Sequence, residues 1–192
     1  MSTAGRLAHT HYSAAQKRII AASLDLFNAH GVSDTSLQMI ADAVGVTKAA
    51  VYHQFKSKDD VVIAVAQTEL LALQDAVDAA EAEVDQVTAR ELLLRRVVEM
   101  AVARRHLAGA LQFDPVVVRL LAEHTPFAEF IERLYGVLLG GTLSVEARVH
   151  AAVMSGALGA AGVSPLVSDV DDDTLRSQIL TVARRILNLP AA

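Results

Sequence analysis

Helix-start signals follow one another along this chain with no strand signal between them, and this constrains the fold more than any other feature. Ser13-Ala-Ala-Gln16, Thr35-Ser-Leu-Gln38 and Thr88-Ala-Arg-Glu91 each fit a capping box. In that motif a hydroxyl accepts from a backbone N–H three residues on, while the Gln or Glu reaches back. Ser57-Lys-Asp-Asp60 fits a looser version whose two acids suit the positive end of a helix. Asp114-Pro115 and Thr125-Pro126 place a capping residue before a proline at the first helical position.

Apolar residues then recur at helical spacing. Ile19, Ala22, Leu26 and Phe27 give one face of a first helix that ends near His30-Gly31. Leu37, Ile40, Ala41 and Val44 give a second, stopped by Gly45. A third is expected over about 47–55 and a long fourth from 57 to about 85. Later ones follow at roughly 88–106, 115–123, 127–139, 144–161 and 172–188. No period-2 run of β-branched residues appears, so the fold class is all-α. The expected division is a three-helix module over 1–60 and a helical body over 61–192.

With 53% hydrophobic residues in 192, the chain has ample material for a packed core. It has no cysteine, so disulfides and thiolate chemistry are excluded. The opening "MSTAGRLAHTHYSAAQKR" shows no apolar secretory segment, and a cytoplasmic location is expected. The stretch "VHAAVMSGALGAAGVSPLVS", 149–168, lacks Asp, Glu, Lys and Arg, but three glycines and a proline interrupt it. It reads as a closely packed helix, and no membrane partner is expected.

Charge is unevenly spread. Residues 1–58 hold six Lys and Arg against three Asp and Glu, whereas 59–192 hold eleven against nineteen. Three of the four lysines fall within "GVTKAAVYHQFKSKDD", 45–60. A small basic module on an acidic body points to a polyanion as partner.

That stretch has the spacing of a helix-turn-helix. Gly45 can take the left-handed conformation that ends the second helix, and Thr47 can cap the third. Ala50, Val51 and Phe55 are expected to turn inward against Ile20, Phe27 and Ile40. Lys48, Ala49, Tyr52 and His53 form the opposite stripe, at four-residue spacing. The stripe offers a cation, a small residue for close approach and two flat polar rings, which suits a major groove. Lys56, Lys58, Thr35 and Ser36 are placed where phosphates would run, beside the starts of the fourth and second helices. Spacing alone leaves a three-helix bundle without DNA contact as an open alternative.

The stretch "LDLFNAHGVSDTSLQMIADAVGVTKAAVYHQFKSKDDVV" resembles the N-terminal signature of the tetracycline-repressor (TetR) family of transcriptional regulators. The resemblance runs from Leu26-Phe27 and Gly31 through Ile40-Ala41 and Gly45-Val46-Thr47-Lys48. It continues over Val51-Tyr52-His53-Gln54-Phe55 to Ser57-Lys58, and covers roughly residues 14–64. Ala49-Ala50 departs from it, since many relatives carry a glycine there. The resemblance implies a homodimer with one DNA-binding module per subunit. It also implies a C-terminal body with a ligand pocket and a dimer face, and release from DNA when a small molecule binds. On this reading the protein is a ligand-responsive repressor of a near-palindromic operator, with no cofactor and no metal.

Within the body, Ala152, Gly156 and Ala160 give the 144–161 helix a smooth face, and Leu175, Ile179, Val182 and Ile186 give the last helix an apolar seam. These seven are the expected dimer residues, the alternative being that both helices pack inside one subunit. Helices 88–106 and 127–139 project Met100, Arg104 and Tyr135 towards one space, with Phe113 between the two helices in sequence. These four are the expected contacts of a small, largely apolar effector. Glu91, Arg95 and Glu99 read as a water-facing charge ladder.

An enzyme is the main reading of another class, and its signals are thin. There is no His-Glu-x-x-His and no Gly-rich phosphate loop, and His9-Thr-His11 reads as a solvated tail. An architectural DNA binder without a ligand is the other alternative. The long acidic body argues against it.

Overall fold

The computed structural model describes residue 7 and residues 10–105, 114–141 and 144–189. Among these the regular elements are all helical. They run α1 (Ala14–His30), α2 (Leu37–Val44), α3 (Lys48–Gln54), α4 (Lys58–Ala82), α5 (Gln86–Ala103), α6 (Pro115–Glu123), α7 (Thr125–Leu138), α8 (Val145–Val163) and α9 (Asp172–Ile186), with a single 3₁₀ turn at Pro165–Val167.

Two of the expected capping boxes form as read, Ser13 with Gln16 and Ser57 with Asp60. At α2 the cap is Ser36, whose hydroxyl accepts from the Met39 N–H at 3.2 Å. Thr35 instead donates its hydroxyl to the Gly31 carbonyl at 2.7 Å and is only 1% exposed. At α5 the cap is Asp85, whose carboxylate accepts from both the N–H and the hydroxyl of Thr88. Helix α7 begins at Thr125 itself, behind His124, with no side-chain cap. Asp114 caps α6 ahead of Pro115, as the dipeptide predicts.

The buried side chains form two clusters. The first joins α1, α2 and α3 through Ile19, Ile20, Phe27, Ile40, Val51 and Phe55, and extends past residue 60 to Val61, Val62 and Val65 of α4. It also takes in Val117 and Leu120 of α6. Ala50, expected to join it, is exposed. The second cluster fills the body, with Leu73 and Val77 of α4, Leu93 and Val98 of α5, and Phe127, Phe130 and Leu138 of α7 at its centre. Helix α4 therefore belongs to both, and packs on α1, α5, α6 and α7.

Helix α9 lies against α5 and α8. Its inward seam is Leu175, Leu180, Ala183 and Leu187. Leu175 is thus spent in the protein's own core and is not presented to a second subunit. Ile179 and Ile186 are partly buried against that core. Arg184 of α9 and Arg95 both pair with Glu91, and Arg96 pairs with Glu99. The expected ladder is therefore tied to α9 on one side, where Glu91 is part-buried. No helix among the described residues is long and apolar enough to cross a membrane.

Candidate DNA-binding face and ligand cavity

The turn between α2 and α3 is built on Gly45, at φ 75° and ψ 38°. A Cβ there would meet nothing within 4 Å, so the left-handed backbone alone favours glycine. Its N–H donates to the Ala41 and Asp42 carbonyls, and the Val46 N–H donates to the Ala41 carbonyl at 2.9 Å. These bonds close the end of α2 in the manner of a Schellman turn. The Thr47 hydroxyl then accepts from the Ala50 N–H at 3.2 Å and starts α3.

Because Val51 and Phe55 are anchored in the first cluster, the other side of α3 faces outward. Lys48, Ala49, Tyr52 and His53 are all exposed, Tyr52 by 47%. The Lys48 ammonium lies 5.8 Å from the centroid of the Tyr52 ring, a cation–π distance that holds both side chains on one stripe. Lys56 and Ser36 are exposed. Lys58 donates to the Ser33 carbonyl at 3.1 Å, with two further ammonium donors left for a phosphate. Thr35, expected at a phosphate, has its hydroxyl committed to backbone carbonyls inside the module. The N-terminus of α4 is less open than expected. Asp60 accepts from the Ser57 N–H at 3.0 Å and gives its own N–H to the Ser57 hydroxyl.

The body holds an apolar cavity of about 300 Å³. Met100 and Arg104 of α5 and Tyr135 of α7 line it together. Phe113 lies outside the described residues. Side chains that pattern reading missed complete the wall, notably Glu69 and Leu73 of α4, Val117 of α6 and Met154 of α8. Glu69 pairs with Arg104 at the edge of the cavity. A wider groove of about 660 Å³ runs along the outer side of α4 and α5, and shares Glu69, Leu73, Met100 and Arg104 with the inner chamber.

A polar contact joins the two regions. Asp114 at the start of α6 is buried, and its carboxylate accepts from the Ser33 N–H at 3.0 Å and from the Ser33 hydroxyl. Burial by itself raises the Asp114 carboxyl. The N–H groups of Ser33 and Val116 and the Ser33 hydroxyl outweigh that, and hold it below the ordinary carboxylate value. Asp114 was legible only as a cap, since nothing local announces a partner 81 residues away. Arg119 adds an exposed pair with Asp59 of α4 at 3.3 Å.

On the outer surface of α8, Ala152 and Ala160 are exposed and Gly156 is partly so. Val145, Val149 and Val153 extend that apolar face, Val153 being 55% exposed, and Val182 of α9 is half-exposed. Among the described residues no group of three or more His, Asp or Glu side chains is placed to hold a metal.

The described residues thus form an all-helical body joined to a helix-turn-helix module with an exposed, cation-bearing third helix. The family described as "Bacterial regulatory proteins, tetR family" matches residues 19–65. The HTH-type transcriptional regulator SrpR of Pseudomonas putida is 50% identical over 50 residues, 26% of this chain and 24% of that protein. Over nearly the whole length the likeness is one of fold. NalD, the secondary repressor of the MexAB-OprM multidrug efflux pump in Pseudomonas aeruginosa, superposes with a TM-score of 0.67 at 22% identity, covering 89% of this chain and 94% of that one. FadR of Bacillus subtilis, solved in complex with stearoyl-CoA, gives 0.63 at 15% identity, covering 90% and 96%. In sequence, the likeness to the tetR family is thus carried by residues 19–65, and the match to SrpR spans about a quarter of that protein's length.

Proposed function

We propose that the protein is a ligand-responsive transcriptional repressor that binds a near-palindromic operator as a homodimer and leaves it when a small, largely apolar molecule enters the body. Its two functional units are 1–60 and 61–192, and its location is the cytoplasm. Ser36, Thr47, Lys48, Ala49, Tyr52, His53, Lys56 and Lys58 meet DNA in this reading. Lys48, Tyr52 and His53 approach base edges, and Lys56, Lys58 and the hydroxyls approach phosphates. The exposed face of α8 with Val182 of α9 forms the dimer contact, and Met100, Arg104 and Tyr135 contact the effector.

The observation that carries this reading is the double membership of α6. Val117 lines the cavity and also belongs to the core of the DNA-binding module. A molecule that wedges α5 from α7 displaces Val117, shifts α4 beside it, and alters the separation of the two recognition helices in the dimer. Such coupling is typically worth about 1–3 kcal/mol and is reciprocal, so operator DNA weakens the ligand by the same factor. Genome-wide footprinting with the purified protein tests the reading, followed by titration of the recovered operator. A symmetric footprint bound by a dimer is the expected result. Random binding that differs only in salt dependence between sequences would leave an architectural role.

A further inference from the structure

The proposed effector site carries its own statement about charge. The inner chamber and the outer groove both have the Glu69–Arg104 pair in their walls, so a charged head at that boundary competes with one of the two side chains. They are not equally free to move. The Glu69 side chain is 14% exposed and projects from the middle of α4, whereas Arg104 is 47% exposed and sits at the C-terminal cap of α5. Arg104 can swing into water with little change in its solvation. Glu69 cannot, and a carboxylate left in that setting without a counter-charge is strongly disfavoured. The rest of the groove leans the same way. Arg96 is already paired with Glu99 at 3.0 Å, and Asp75 adds a carboxylate with no ion-pair partner among the described residues. The charged lining is thus three acids against two arginines.

We propose that the effector is an amphipathic monocation, whose ammonium head replaces the Arg104 guanidinium on Glu69 and whose apolar chain fills the inner chamber. At about 30 Å³ per water-sized group, 300 Å³ accommodates roughly ten heavy atoms of chain. Met100, Leu73, Leu134 and Met154 supply the apolar wall, and the Tyr135 ring adds a face that attracts cations. Anionic amphiphiles are disfavoured, because their head would meet Glu69 once Arg104 is drawn away. This inference rests on the cavity being the effector site.

The test uses the full-length protein and three probes that share one ten-carbon chain, namely decylammonium, 1-decanol and decanoate. Binding is read by isothermal titration and thermal shift at pH 7. Decylammonium is expected to bind about tenfold or more tighter than 1-decanol, as a charge-assisted hydrogen bond does over a neutral contact. Decanoate is expected to be the weakest. Glu69→Gln should remove the advantage of the amine over the alcohol. Arg104→Ala should tighten the amine, because a competitor for Glu69 is gone, and this outcome separates ligand contact from general damage to the fold. Decanoate binding best and losing its affinity in Arg104→Ala would overturn the proposal in favour of an anion site. Equal binding of amine and alcohol would overturn the charge assignment alone. No binding by any of the three would remove the cavity as an apolar effector site as well.

Discussion

The N-terminal module and the body obey the same helix chemistry, yet one is readable residue by residue and the other only as a fold. On the proposed function, the difference is set by what each recognises. A duplex offers one groove geometry, so a third helix anchored by Val51 and Phe55 has one stripe to present, and its turn one backbone shape at Gly45. The likeness to SrpR at 50% identity is confined to 50 residues, whereas likenesses that span nine-tenths of the chain stand at 15–22%. In the body, any apolar set that closes the core around a cavity will serve.

The largest expected effects test whether the two regions are separate in stability as well as in legibility. Phe27→Ala in the first core and Phe130→Ala in the second each remove a fully buried ring, at a cost of about 3–5 kcal/mol. Because α4 belongs to both cores, urea unfolding followed by circular dichroism should show one cooperative transition in either variant. A biphasic curve in Phe27→Ala, with the body intact, would break the pairing and make the module an independent unit.

Next in size is loss of the proposed dimer. Val153→Glu or Gly156→Glu places a carboxylate on the exposed face of α8 without touching the protomer core. Light scattering should report monomers, and operator binding should fall to that of a single half-site. A dimer that survives both substitutions would move the interface elsewhere.

At the DNA face, Tyr52→Ala should weaken operator binding by about 1–3 kcal/mol if the ring meets a base edge. Lys56→Ala should weaken specific and random DNA alike, and flatten the salt dependence by roughly one charge. Anisotropy titrations at several salt concentrations separate the two. Identical behaviour of both variants would mean that Tyr52 meets the DNA backbone and not a base edge.

The places where pattern and structure part company share a cause. Thr35 and Ser36 are adjacent hydroxyls, either of which can cap a helix, though only Thr35 has a glutamine three residues on. The cap went to Ser36, whose backbone is extended at φ −106° and ψ 158°, while the hydroxyl of Thr35 closed on Gly31. Asp85 displaced Thr88 by accepting both of its donors. Periodicity locates an apolar seam on α9 but not the rotation of the helix, so the buried Leu180, Ala183 and Leu187 lie about 100° round the axis from the expected Ile179, Val182 and Ile186. Glu69 carries no local signal, and Asp114 none beyond its cap, because their partners lie 35 and 81 residues away. Helical repeats and caps are local physics. Which face meets which, and which acid meets which base, is decided by the assembled chain.

The smallest effect bears most directly on how the two regions communicate. Asp114 both caps α6 and grips Ser33, so Asp114→Ala should cost about 0.5–2 kcal/mol of stability, the range for a lost cap. Ser33→Ala removes only the hydroxyl contact and should cost about 0.5–1.5 kcal/mol. If the two act as one latch, the double variant should cost less than their sum, by an interaction energy measurable in a double-mutant cycle. The pH dependence has a fixed sign. The Asp114 carboxyl lies below its ordinary value in the folded protein, so its contribution is complete above the unfolded value of about 3.9 and is lost as the pH falls through the lower folded value. Wild-type stability should therefore fall more steeply than that of Asp114→Ala below about pH 4. The same variant should keep operator affinity and ligand affinity when each is measured alone, while the factor by which one weakens the other shrinks towards unity. Full coupling retained in Asp114→Ala would leave Val117 and α4 as the carriers, and reduce the Ser33 contact to a cap with a neighbour.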